Sequence, residues 1–253
     1  MAQYSKNYLT HVIIKVDFNN ILPIDDNLPK EILDVAQKTF PLLEPIQVAR
    51  SKVEISADAV NVIKEGQGID WRFYGVNKEK TFVIAREGLH REKTTITIDH
   101  SKYESFDSLK DEFFTILNKF FEIYPDTQIG RVGLRYINNI NIDESRPLSW
   151  VKYINPPLLS NLKFVDDKKS ISRVFSNLEM KYDDMSIKFQ YGMHNPDYPS
   201  PIRKKIFILD YDVYYSGICD KSDVSDMIDK YHDRIISLYE SSIKDGLRDK
   251  MNE

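Results

Sequence analysis

From Ile129 to Ile142 the chain reads I-G-R-V-G-L-R-Y-I-N-N-I-N-I. Val132, Leu134 and Tyr136 alternate with Arg131, Gly133 and Arg135. That period of two predicts a β-strand with one apolar face and one face carrying two arginines. The strand lies near the middle of the chain and is expected to be central in its sheet. Before it, His11–Phe18 is rich in β-branched residues and predicts another strand, ended by Pro23 and the Asp25-Asp26-Asn27 cluster. Pro29 suits a first helical turn, and Ile32, Leu33, Val35, Ala36 and Phe40 form a helical stripe up to Pro41. Val53–Val62 reads as extended and Gly66-Gln67-Gly68 as a turn. Trp71–Tyr74 and Lys80–Ala85 flank a short polar turn, a hairpin signal, and Thr94–Ile98 alternates strictly as a third strand. Ser105 or Asp107 can cap a helix in which Leu109, Phe113, Ile116, Leu117, Phe120 and Phe121 share a face until Pro125.

Beyond the central strand, Pro147–Leu159 predicts a short helical piece broken at Pro156-Pro157, and Asn161–Ser170 an exposed loop. Val174–Tyr182, Ser186–Tyr191 and Lys205–Tyr215 predict strands, the last two joined by the Pro-rich loop H-N-P-D-Y-P-S-P. A final helix begins at Ser222 or Asp223 and is expected to run to about Arg248. W-R-F-Y-G at Trp71 with K-T-F-V-I at Lys80 matches I-K-F-Q-Y-G at Ile187 with K-I-F-I-L at Lys205. The helical positions Leu109, Phe113, Leu117, Phe120 and Phe121 match Met227, Tyr231, Ile235, Leu238 and Tyr239. The pattern therefore predicts a β-α-β-β-β-α unit used twice, in halves 1–126 and 127–253. The expected class is α+β, with antiparallel sheets backed by helices.

A chain of 253 residues with 42% hydrophobic positions is long enough for a sizeable core. The net charge of -4 gives no general attraction to nucleic acid or anionic lipid. The single cysteine, Cys219, excludes an internal disulfide and fits a reducing cytoplasm. The first residues, M-A-Q-Y-S-K-N-Y, lack the apolar core of a signal peptide, and no run approaches the ~18 apolar residues of a membrane span.

R-V-G-L-R-Y-I-N at Arg131–Asn138, L-D-Y-D at Leu209–Asp212 and H-D-R-I-I-S-L-Y-E-S-S-I at His232–Ile243 together resemble a sporadically distributed family of uncharacterised prokaryotic proteins. That family carries an RxGLRYxN strand followed by a late helix with an HxxxxxxFE pattern. Tyr239 stands where the family often has phenylalanine. The resemblance implies no activity. Its scattered occurrence implies an accessory locus, such as a defence or toxin-neutralising one.

Candidate chemistry centres on a few polar positions. Arg131 and Arg135 share a strand face with Cα atoms about 13 Å apart. With Asn139 they could hold a phosphate chain, or each could bond a carboxylate across the sheet. Asp210 and Asp212 share a face at about 7 Å and could bind Mg²⁺ or serve as the acidic partners of the two arginines. A central strand is covered on at least part of both faces, so the Arg135 guanidinium is expected to be partly desolvated and paired, with Asp210 or Asp212 as its partner. His232 opens the late helical motif as a surface or boundary histidine. His11, His90, His100 and His194 are scattered, and Arg203-Lys204-Lys205 reads as a solvated strand edge.

No Walker loop, G-x-G-x-x-G, H-E-x-x-H or nucleophile elbow is present, and no cofactor is expected. Two functions remain open. One is a non-catalytic cytoplasmic binding or regulatory protein with a protein partner or a second copy of itself. The other is a metal-dependent enzyme acting on a phosphorylated substrate or nucleotide. The acidic balance disfavours nucleic acid as a partner.

Overall fold

The computed structural model describes residues 4–20, 22–24, 27–55, 60–88 and 92–253, with backbone alone for 50–55 and 60–67. Asp25 and Asp26 of the Asp25-Asp26-Asn27 cluster, residues 56–59 of the Val53–Val62 stretch, and His90 lie outside the described residues. The chain opens with β1 (Leu9–Phe18) and α1 (Lys30–Thr39). Four strands follow, β2 (Leu42–Ile55), β3 (Val60–Tyr74), β4 (Lys80–Glu87) and β5 (Lys93–His100), and then α2 (Phe106–Ile123). The second part comprises β6 (Ile129–Asn141), two short 3-10 helices (Pro156–Lys163 and Lys168–Ser170), β7 (Val174–Lys181), β8 (Ser186–Met193) and β9 (Ile206–Cys219). It ends with a further 3-10 turn and two helices, α3 (Val224–Ser242) and α4 (Asp245–Asn252).

Among the described residues the strands form one nine-stranded antiparallel sheet in the order β2-β3-β4-β5-β1-β6-β9-β8-β7. The opening strands β1 and β6 are central, and the class is α+β. The chain divides into two compact units: Met1–Val12, Leu134–Tyr215 and Ser225–Glu253 form one, Ile13–Gly133 and Ser216–Val224 the other.

In the second of these units, Ser105 caps α2 by accepting from the Ser108 N–H. The apolar stripe of α2 buries Leu109, Phe113, Ile116, Leu117 and Phe120. Phe120 stacks on Phe18 of β1 at 5.0 Å, and the Trp71 indole N–H donates to the Ile24 carbonyl at 2.7 Å. In the other unit, Phe189 of β8 lies flat against Tyr211 of β9 at 4.5 Å. The Tyr211 hydroxyl donates to Ser242 of α3. Gly192, with φ near +152°, lets β7 approach β8, because a Cβ there would lie 2.1 Å from the Val174 carbonyl oxygen.

Several local expectations are corrected. Gly66-Gln67-Gly68 is not a turn. It lies inside β3 and pairs with β2 across a register shift between Arg50 and Ser51. The first part therefore has one strand more than a β-α-β-β-β-α unit allows. The segment after β6 is turn followed by a 3-10 helix, which begins rather than breaks at Pro156. The last helix is two helices. The Ser242 carbonyl accepts from Asn155 N–H, Ile243 bridges to Ile154, and Lys244 N–H donates to the Tyr153 carbonyl. These backbone bonds replace the intrahelical ladder where the 3.6-residue pattern alone would continue it.

Candidate functional site

β6 sorts its side chains by parity. Val132, Leu134, Tyr136, Asn138 and Ile140 are buried, whereas Arg131, Arg135, Ile137 and Asn139 are half-buried. Tyr136 points toward α3, so Arg135 lies on the other face. There its Nε donates to Asp210 Oδ1 at 2.8 Å and its Nη2 to Asp210 Oδ2 at 2.7 Å. This is the fork-to-fork pairing that a guanidinium makes with a carboxylate. Of the two acidic candidates it is Asp210 that Arg135 holds. The pair is not fully desolvated, since the Arg135 side chain is 39% exposed against 9% for Asp210. Part of the arginine side chain therefore stays in contact with solvent.

The other candidates are distributed. Asp212 stands opposite Lys188 in the β8–β9 register, as Asp210 stands opposite Gln190. Asn139 donates its backbone N–H to Tyr8, while its buried side-chain oxygen accepts no hydrogen bond among the described residues. Arg131 lies in electrostatic range of Asp17. Burial pushes the Asp17 carboxyl above the usual carboxylate range, against the pull of Lys15 and Arg131. His232, expected as a surface or boundary histidine, is buried, and its Nδ1 shares a 2.7 Å hydrogen bond with the Tyr136 hydroxyl. The strand motif and the helix motif thus meet side chain to side chain, on the face opposite Arg135. Glu240, at the end of the same helix motif, accepts from the Tyr4 hydroxyl at 2.7 Å and from Arg248 at 3.0 Å.

Two polar clusters were not legible in the sequence. Lys80 of β4 donates to Glu112 Oε1 of α2 at 2.7 Å, and His100 Nε2 of β5 lies 3.0 Å from Glu112 Oε2. Burial would raise the Glu112 carboxyl, but the contacts from His100 and Lys80 outweigh it and hold it below its ordinary value. No spacing rule joins residues on three different elements. The second cluster corrects the reading of Lys205 as a solvated edge. Its side chain is 1% exposed, its Nζ donates to Glu144 Oε2 at 2.7 Å, and it sits over the rings of Trp150 and Tyr153 at 5.3 and 4.9 Å. The Tyr153 hydroxyl donates to the other Glu144 oxygen. That bond, with burial, pushes the phenol up to about 12. The signal available in the sequence was the aromatic pair Trp150 and Tyr153, whose partner lies more than fifty residues away.

Among the described residues no group of three or more His, Cys, Asp or Glu side chains is placed to hold a metal ion. No helix among them is long and apolar enough to cross a membrane. No protein-family profile matches the chain, and no curated protein matches it.

Proposed function

We propose that this chain is a non-catalytic binding or regulatory protein of the cytoplasm. The observation that carries the reading is the Arg135–Asp210 fork. The cation best suited to a phosphate and the carboxylate best suited to a metal already satisfy each other. A substrate or ion would have to compete with a doubly bonded pair for either group. The net charge and the polar character of that sheet face favour a protein partner over nucleic acid. The accessory-locus setting implied by the motif resemblance is part of the same proposal.

The reading also takes the scaffold as an internal duplication of halves 1–126 and 127–253. Strand order supports it. Outward from β1 the neighbours are β5, β4, β3 and β2, and outward from β6 they are β9, β8 and β7. α2 follows β5 as α3 follows β9. This order equates β4–β5 with β8–β9, one strand later than the W-R-F-Y-G match would place it, and leaves β2 as the addition.

A paired experiment tests the function. Affinity purification at native expression level, followed by cross-linking, is expected to recover a stoichiometric protein partner. Thermal-shift titration with Mg²⁺ or Mn²⁺, with and without nucleotide, is expected to leave Tm unchanged. A Tm rise that needs both metal and nucleotide and disappears in Asp210→Asn would replace this reading with the metal-dependent enzyme.

A further inference from the structure

Strand β7 ends the strand order, and β8 is its one neighbour among the described residues. Its backbone polarity follows from the hairpin. Tyr182 N–H donates to the Met185 carbonyl at 2.8 Å, continuing the register in which Lys181 faces Ser186. In an antiparallel ladder, residues alternate between those that exchange bonds with the neighbour and those that turn away from it. Even-numbered residues of β7 therefore face β8. Phe175, Asn177, Glu179 and Lys181 turn their N–H and C=O groups outward. Before the strand, the Ile171 carbonyl is already taken by the Ile202 N–H, and the turn after Tyr182 ends the edge on the other side. The open edge runs between these limits.

It also carries apolar surface. Phe175, Leu178 and Tyr182 are 45%, 47% and 39% exposed. Exposed edges are normally blunted by charge, bulges or covering segments. The sequence of this edge fits a copy of itself. With Leu178 on a two-fold axis, Leu178 meets its counterpart and Val174 meets the other copy's Tyr182, all on one face. On the other face Phe175 meets Lys181 across the interface, Asn177 meets Glu179, and Arg173 meets Asp183. No like charges stand opposite each other. Moving the axis to Asn177 would oppose Arg173 to Lys181. Moving it to Ser176 would drive the other copy's Lys181 into the position that Ile202 occupies beside Ile171.

We propose that β7 is a dimerisation edge, pairing antiparallel with β7 of a second copy about an axis through Leu178. The sheet would then continue from one protomer into its partner. The proposal is independent of the partner-binding function above, since a monomeric chain could still bind another protein.

The test uses the full chain. Light scattering coupled to size exclusion, at micromolar to tens-of-micromolar concentration, is expected to give twice the chain mass. Leu178→Lys places two ammonium groups directly opposite and is expected to give a monomer with unchanged circular dichroism and a Tm that, unlike the parent's, does not rise with protein concentration. In a Cys219→Ser background, Leu178→Cys is expected to form an intermolecular disulfide on mild oxidation, because facing residues in a non-hydrogen-bonded pair lie within disulfide reach. Phe175→Cys alone is expected to cross-link poorly, and a mixture of Phe175→Cys with Lys181→Cys efficiently. A wild-type monomer at every concentration, or a dimer indifferent to Leu178→Lys, would overturn the proposal. So would a dimer whose Leu178→Cys form stays uncross-linked.

Discussion

Tyr136 of β6 and His232 of α3 meet at 2.7 Å between hydroxyl and Nδ1, with their rings 5.7 Å apart and both side chains buried. The contact joins a strand and a helix separated by 96 residues. A buried polar pair of this kind costs little when both partners are present and much when one is removed. Tyr136→Phe leaves the ring packing and deletes the hydroxyl, so it is expected to cost about 1–3 kcal/mol. Urea melts of Tyr136→Phe, His232→Phe and the double variant should show a coupling of about 1 kcal/mol. Purely additive losses would mean that packing, not the hydrogen bond, links the two motifs.

The Arg135–Asp210 fork is graded differently, because the arginine side chain is partly exposed. Complete burial would make the loss of one partner worth ~3–5 kcal/mol. With the arginine 39% exposed, Arg135→Ala is expected to cost about 1–3 kcal/mol, between the surface and buried limits. Arg135→Lys should recover only part of that loss, since one ammonium cannot bond both carboxylate oxygens in the same plane. Chemical denaturation of these variants against Asp210→Asn measures the coupling. A lysine variant as stable as the parent would show that the fork contributes nothing beyond charge.

Glu112 sets a pH dependence. Its folded carboxyl lies below its ordinary value, so it contributes stability above the unfolded value. That contribution is lost as pH falls through the lowered folded value. Glu112→Gln is therefore expected to melt below the parent at neutral pH, with the gap closing under acid. A gap that stays constant down to the most acidic pH tolerated would show that Lys80 and His100 do not stabilise the charged form. Calorimetry across that range provides the readout.

Lys205 and Glu144 predict an asymmetry. Lys205 is enclosed by Trp150 and Tyr153, whereas the Glu144 side chain is 39% exposed and can rehydrate. Glu144→Ala strands a buried ammonium and is expected to be the more destabilising of the two changes. Lys205→Met replaces it with an apolar chain of similar length and should cost less than about 1.5 kcal/mol. The reverse order in urea melts would place the stabilising role on the carboxylate alone.

Much of the fold was legible because burial imposes periodicity. β6 follows from alternation, β1 from its β-branched residues and α2 from a helical stripe, with Ser105 as one of two possible caps. The β2–β3 ladder was missed at Gly66-x-Gly68, where glycines that usually mark a turn instead accompany a register shift within a long hairpin. The α3–α4 break was missed because it is imposed by backbone bonds from Tyr153–Asn155, not by a breaker residue. At the site, alternation put Arg135 on a polar strand face and named Asp210 among its partners. Nothing local could place His100 beside Glu112, or Lys205 between two aromatic rings, since those neighbours arrive only when distant elements pack.

Arg135 and Tyr136 are adjacent in sequence yet belong to opposite faces of β6, one held by Asp210 and the other by His232. Losing a single residue just before them, at Leu134, would rotate the strand by one position. It would carry the arginine under α3 and the tyrosine out to the acidic face. Losing two residues would keep each side chain on its own face and shift only its height along the strand. The segment should therefore accept changes in length in steps of two far better than in steps of one. That parity constraint on insertions and deletions acts on the spacing of the motif and is separate from the chemistry of any one of its residues.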